Sequence, residues 1–149
     1  MKKSLTFAMF IFLLFSASVS FAQIRKIPAE VTQGLKDKYP MATDIEWRDK
    51  IRGFTATFLL DEEKHVANFT NEGIWESTET DLEDSALPEV VRDSYEKSKY
   101  SDWEIGGVQK IELPEEKVQY RVLAIKSEFR RKNLYYSPEG KLLKDKTTL

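Results

Sequence analysis

The chain has 149 residues, with 23 Lys and Arg against 25 Asp and Glu, one histidine and no cysteine. Without cysteine there is no disulfide framework, no thiolate metal site and no thiol nucleophile. A formal charge of -2 lacks the clustered positive field that holds nucleic acid by displacing counterions from phosphates, and the length fits one ordinary domain or two small units.

Lys2 and Lys3 precede an apolar run from Phe7 through Phe15, and Ser20-Phe21-Ala22 places small residues where a signal peptidase reads. Residues 1–22 therefore read as a secretory signal peptide. The apolar run falls short of the roughly 20 residues of a membrane-spanning helix. The expected product starts near Gln23, is periplasmic or secreted, and is not inserted in a membrane. Loss of Lys2 and Lys3, with no acid, takes its formal charge from -2 to about -4. The one basic cluster, Arg130-Arg131-Lys132, follows Glu128 and reads as a solvated strand edge, so nucleic acid is not an expected partner.

Ile27-Pro28-Ala29-Glu30-Val31 opens the first element. Proline suits the first helical turn, where its missing N–H costs no hydrogen bond. Ile27, Val31, Leu35 and Tyr39 recur at intervals of four and make one apolar helix face; Pro40 stops that helix. Phe54-Thr55-Ala56-Thr57-Phe58 alternates with period two, the mark of a half-buried strand. Asp61-Glu62-Glu63-Lys64 is a polar turn, a strand returns from His65 to Phe69, and Asn71-Glu72-Gly73 turns again into Ile74-Trp75. Glycine ending so short a loop supplies the positive φ of a bulged hairpin turn. Asp81 to Ser85, acidic and with Leu82 as its one apolar residue, reads as a linker.

Leu87-Pro88-Glu89-Val90-Val91 then repeats the opening, with Leu87, Val91 and Tyr95 as its apolar face. Tyr136-Ser137-Pro138-Glu139-Gly140 likewise repeats Phe69-Thr70-Asn71-Glu72-Gly73, and Gly106-Gly107 reads as a bulge or strand kink in a slightly longer second copy. This self-similarity divides the chain into a signal peptide over 1–22, a first unit over 23–80, a linker over 81–86 and a second unit over 87–149. A unit of about 60 residues buries too little surface to be robust alone. The expected fold is therefore α+β: two tandem helix-plus-four-strand repeats forming one antiparallel sheet of about eight strands, with both helices on one face.

Four stretches carry a family likeness: the Ile27-Pro28-x-x-Val31 opening, the Ile45-Glu46-Trp47 strand, the Phe54-x-Ala56-x-Phe58 strand and the Phe69-Thr70-Asn71-Glu72-Gly73 turn. They resemble the PepSY-like proteins, also described as β-lactamase-inhibitor-like, and the likeness extends over both units. The resemblance implies a protein exported by bacteria of the Bacteroidetes type that binds or inhibits an extracytoplasmic enzyme. The β-lactamase inhibitor itself is disulfide-bonded, and this cysteine-free chain departs from it there. β-Lactamase inhibition does not carry over, because function lives in a site and not in a fold.

Serine nucleophiles usually need a histidine base, and His65 is the one candidate, in a strand beside an acidic turn. Asp61, Glu62, Glu63, Asp81, Glu83 and Asp84 lie in turns or the linker, where acids stay solvated. The 81–84 stretch lacks the alternating ligands and central glycine of a calcium loop. No catalytic residue, metal site or cofactor is expected. Asn68-Phe69-Thr70 matches the N-glycosylation pattern inside a strand, and Asp84-Ser85-Ala86 looks like the O-glycosylation motif of exported Bacteroidetes proteins.

Strand parity selects a surface. Counting back from Gly73 and Gly140 aligns Phe58 with Ile125 and Ala56 with Leu123, so these face the helices together with Ala67, Phe69, Leu134 and Tyr136. The opposite face of the second unit then carries Tyr120, Val122, Ala124, Phe129, Arg131 and Tyr135, rich in types favoured at protein interfaces. The sequence thus points to a non-enzymatic exported module that holds an exported protein partner on its open sheet face, through Tyr120, Val122, Phe129, Arg131 and Tyr135. A periplasmic small-ligand or calcium sensor using the acidic turns is the alternative.

Overall fold

The computed structural model describes residues 25–148; the signal-peptide reading of 1–22 lies outside them. Helix α1 (Ala29–Lys38) leads into strands β1 (Thr43–Lys50), β2 (Gly53–Leu60), β3 (Glu63–Phe69) and β4 (Trp75–Leu82). A single 3-10 turn over Asp84–Ala86 precedes helix α2 (Glu89–Glu96) and strands β5 (Glu104–Leu113), β6 (Lys117–Ser127), β7 (Arg130–Tyr136) and β8 (Leu142–Thr148). The eight strands form one open sheet in the order of the chain, and every neighbouring pair is antiparallel. The fold is α+β.

Each helix begins directly after its proline, with Pro28 and Pro88 at the cap positions. The apolar stripes do what their spacing predicts. Val31 and Leu35 are buried against Phe54, Ala56, Phe58, Ala67 and Phe69, with Ile27 and Tyr39 packed at the margin. Leu87, Val91 and Tyr95 are buried against Val108, Val122, Ala124, Leu134 and Tyr136. The register places both clusters on the same side. Cross-strand partners share a face, and the chain of partners Ala56, Ala67, Thr78 and Glu112 leads across β2 to β5. Four residues further along, and so on the same face, Leu82 opposes Val108, Val108 opposes Val122, and Val122 opposes Leu134. Both helices therefore cover one face of the sheet.

Between the two apolar clusters runs a polar seam on the helix side of β4 and β5. Thr78 is fully buried there; it receives a hydrogen bond from Trp75 Nε1 at 2.8 Å, and its hydroxyl lies 2.6 Å from that of Tyr39. Beside it, His65 Nδ1 lies 2.8 Å from Thr80 Oγ1 while the imidazole stacks on Phe58, 5.6 Å between ring centres. The lone histidine is thus occupied on the helix side.

The turns follow their chemistry. Asp61 and Glu62 both have positive φ, 51° and 68°, the left-handed pair of a two-residue hairpin. Gly73 and Gly140 end the β3–β4 and β7–β8 turns at φ 79° and 82°. Each also lies under a helix: a Cβ on Gly73 would overlap the Glu30 carbonyl oxygen, and one on Gly140 would overlap that of Val90. The Gly106-Gly107 kink is a true bulge, with the β5–β6 register shifting between Ile105 and Gly107.

Two boundaries differ from the sequence reading. β4 continues through Asp81 and Leu82, which pair with Gln109 and Val108, so the connector is shorter than 81–86. Long-range pairing supplies the hydrogen bonds that make this acidic stretch a strand. The second difference is in β6. Ser127 pairs with Arg130, but Ile125 pairs with Arg131, which leaves Lys126 bulged out of register. One inserted residue reverses the facing of everything before it in the strand. Val122 and Ala124 therefore point to the helices, and Leu123 and Ile125 point away.

Candidate functional site

The face without helices is the one broad surface for which the fold leaves no cover among the described residues. Its more sculpted part runs from β4 at the centre to β8 at the edge. A cross-strand row runs Asp81, Gln109, Arg121, Tyr135 and Lys144, each opposite the next. A parallel row runs Gly107, Leu123, Asn133 and Lys146. Where the Gly106-Gly107 bulge interrupts the pleat, the face sinks into a hollow of about 470 Å³ lined by Asp81, Gly107, Gln109, Arg121, Leu123 and Asn133.

Arg121 organises this surface. Its guanidinium pairs with Glu79 at 2.7 Å and also donates to the side-chain oxygen of Gln109. Gln109 in turn donates to Asp81 at 2.6 Å. Both members of the Arg121–Glu79 pair are about three-quarters covered, with side-chain exposures of 21% and 24%, so water screens the pair less than it screens an exposed bridge. One row away, Lys144 sits 4.3 Å from the centre of the Tyr135 ring, a cation–π contact that holds the ring against the sheet. The result is a sunken polar centre with fixed donors and acceptors beside an aromatic and two aliphatic side chains, Leu123 and Ile125. Such a mixture suits recognition of a protein surface.

The residues expected from the sequence to form this surface divide. Arg131 and Tyr135 lie on the open face, opposite Ile125 and Arg121. Phe129 stands at the tip of the β6–β7 hairpin, 83% exposed. Val122 and Ala124 do not belong to the open face: both are fully buried under α2. Tyr120 also packs against that cluster. The cause is the Lys126 bulge, which inverts the parity counted back from Gly140. In their place the structure brings Arg121, Leu123, Asn133, Gln109 and Glu79 to the surface. Alternation alone could not find them, since both parities of Val122-Leu123-Ala124-Ile125 are apolar.

The remaining motifs are accounted for locally. Asn68 Oδ1 accepts from Lys50 and Thr55, and its Nδ2 donates to Ser77, so the side chain of the glycosylation-type sequence is engaged within the sheet. Ser85 is exposed in its 3-10 turn. Among the described residues no group of three acidic, histidine or cysteine side chains converges as a metal site. No helix among them is long and apolar enough to cross a membrane.

Comparison with solved structures gives close agreement in fold. A BLIP-like protein from Bacteroides fragilis NCTC 9343 superposes with a TM-score of 0.73 at 28% identity, covering 83% of this chain and 87% of that one. A DUF2874 family protein from Bacteroides ovatus ATCC 8483 gives 0.74 at 24% identity over 82% of this chain and 88% of the other. A chain from Bacteroides eggerthii DSM 20697, described as "putative periplasmic", gives 0.73 at 22% over 82% and 89%. A comparison with curated proteins returns no match. The family profile described as "Putative beta-lactamase-inhibitor-like, PepSY-like" matches residues 52–144, from the start of β2 into β8, and on that match the chain belongs to the PepSY-like family.

Proposed function

We propose that this protein is an exported, non-enzymatic binding module that holds a protein partner against the helix-free face of its sheet, and that it inhibits or regulates an enzyme outside the cytoplasm. The observation that carries this reading is the asymmetry of the sheet: one face is closed by two helices, and the other presents a sunken Arg121-centred network flanked by Tyr135, Leu123 and Arg131. A partner that desolvates this face gains most at residues already held in one geometry, because less side-chain entropy is then lost. Export is supported by the Lys2-Lys3, apolar and Ser20-Phe21-Ala22 sequence at the start of the chain, and by the description of the Bacteroides eggerthii relative.

Duplication of one unit belongs to the same reading. Each half has a proline-capped helix followed by four strands, and each helix rests on the glycine of its last hairpin. Two copies merged edge to edge yield a face twice as broad as either could offer.

A photo-crosslinking residue in place of Tyr135, compared with one in place of Glu89 on exposed helix α2, tests the proposal in an envelope extract. The expected result is a discrete adduct from position 135 alone, lost when unlabelled protein competes but retained when unlabelled Tyr135→Ala competes. Equal labelling from position 89, or competition by Tyr135→Ala as strong as that of the parent protein, refutes the docking face.

A further inference from the structure

A second surface lies at the end of the sheet where the β6–β7 hairpin meets the α2–β5 connection. A hollow of about 550 Å³ opens there, and its lining includes Lys99, Tyr100, Trp103, Phe129, Arg130 and Lys132. Lys126 completes the set of cations that face it, against Asp145 as the one carboxylate of the lining; Arg131, opposite Ile125, turns to the open face. Four positive side chains around one hollow, Lys99, Lys126, Arg130 and Lys132, contrast with a chain of formal charge -2, and their combined field favours an anion that enters.

The carboxylates at hand are already committed. Asp145 is bonded by Lys132 and by the Tyr100 hydroxyl, both at 2.7 Å, and is approached by Lys99 at 3.9 Å. Asp102 holds Lys126 at 2.9 Å. Arg130 has no ion pair among the described residues. The floor is aromatic: Tyr100 and Trp103 meet edge to face at 5.2 Å, with Arg130 and Lys126 each 5.8 Å from the Trp103 ring. Phe129 stands fully out at the rim.

We infer that this hollow receives a carboxylate-rich segment of a protein partner, with Arg130 pairing its acidic side chains in the positive field of Lys99, Lys126 and Lys132, and Trp103 and Phe129 covering its apolar parts. Asp145 displays the chemistry in miniature, a carboxylate accepted by lysines and a phenol on the same floor. A free phosphate would leave Phe129 and Trp103 without a role. A lipid bilayer is disfavoured because the cations surround a concavity and Glu128 sits at the exposed hairpin tip. The inference stands apart from the open-face reading, with which it shares no side chain.

The test uses the processed full chain and a fluorescein-labelled oligoglutamate peptide followed by anisotropy. Binding is expected at low salt, weakened about tenfold by Arg130→Glu, weakened further near 300 mM salt, where the Debye length falls to roughly 6 Å, and unchanged by Tyr135→Ala. Circular dichroism should report the parent fold for Arg130→Glu, since its side chain is exposed and has no ion pair among the described residues. Failure of the parent chain to bind, or equal binding by Arg130→Glu, overturns the inference. It is also overturned if inorganic phosphate displaces the peptide at equal concentration, or if vesicles of anionic phospholipid bind the parent chain while the peptide does not. None of these outcomes touches the crosslinking result at Tyr135.

Discussion

The parity of β6 decides which side chains a partner can meet, and a pair of neighbouring truncations tests it. Val122 is fully buried under α2, opposite Val108 and Leu134. Val122→Ala removes two methyl groups, about 1.6 kcal/mol at roughly 0.8 kcal/mol for each buried carbon. The cavity left in a core with Val108 and Leu134 on either side raises the cost to about 2 kcal/mol. Leu123, one residue on, lies half-buried on the open face, and Leu123→Ala should cost under about 1 kcal/mol. Against a total stability of roughly 5–15 kcal/mol, the first change is large. In urea the midpoint of Val122→Ala should fall by roughly 1 M at a slope of about 2 kcal/mol per M, and its Tm by roughly 6–10 °C. The Leu123→Ala midpoint should move by less than half as much. The reverse order, with Leu123→Ala the more damaging, would refute the assignment of the Lys126 bulge and with it the membership of the open face.

Thr78→Val keeps the shape of a fully buried side chain but strands the Trp75 indole N–H and the Tyr39 hydroxyl; a loss of about 1–3 kcal/mol is expected in urea unfolding, and an unchanged midpoint would show that the seam between the clusters is slack. At high pH the buried phenols matter. Burial pushes Tyr95 up to about 12, with Tyr136 and Asp102 adding to the shift, and burial likewise raises Tyr39 and Tyr136. An unfolded tyrosine ionises near 10. The stability these groups contribute is therefore fully present below about pH 10 and is lost as the pH climbs towards 12. Absorbance at 295 nm should show late tyrosinate formation coincident with unfolding, with a weaker alkaline limb in Tyr95→Phe; full titration near pH 10 in folded protein would contradict it.

What could be read from the sequence was local. Helix stripes at intervals of four, the alternation of Phe54 to Phe58, and the turn glycines each declare themselves within one turn or one strand, and each stands where expected. The eight-strand total and the shared helix face followed from these and from the size of each unit. The misreadings were non-local. Asp81-Leu82 looks like linker until β5 supplies its partners. The run from Val122 to Ile125 has no polar residue to tell inside from outside, so the Lys126 bulge left no mark in the pattern. Glu79 and Arg121 are 42 positions apart, and only the pairing of β4 with β5 and β5 with β6 brings them together.

That same pairing gives the middle of the sheet an unusual job. Between their apolar ends, β4 and β5 are polar on both faces, with Thr78, Thr80, Lys110 and Glu112 towards the helices and Glu79, Asp81 and Gln109 towards the open side, where Ile111 is the apolar exception. Such a stretch specifies register weakly, because few of its side chains would leave a core on a slip. Here the register between the halves is pinned instead by Leu82 at the edge of the second cluster and by the Glu79–Arg121 and Asp81–Gln109 bonds. The groups that shape the hollow on the open face therefore also lock one half of the sheet to the other. Replacing Arg121 would disturb the junction and the surface together, since removing one partner leaves the largely covered Glu79 charge unpaired. Tyr135, held by Lys144 at the far end of the same row, has no part in that lock, and for this reason a loss of partner binding at Tyr135 reports on the surface alone.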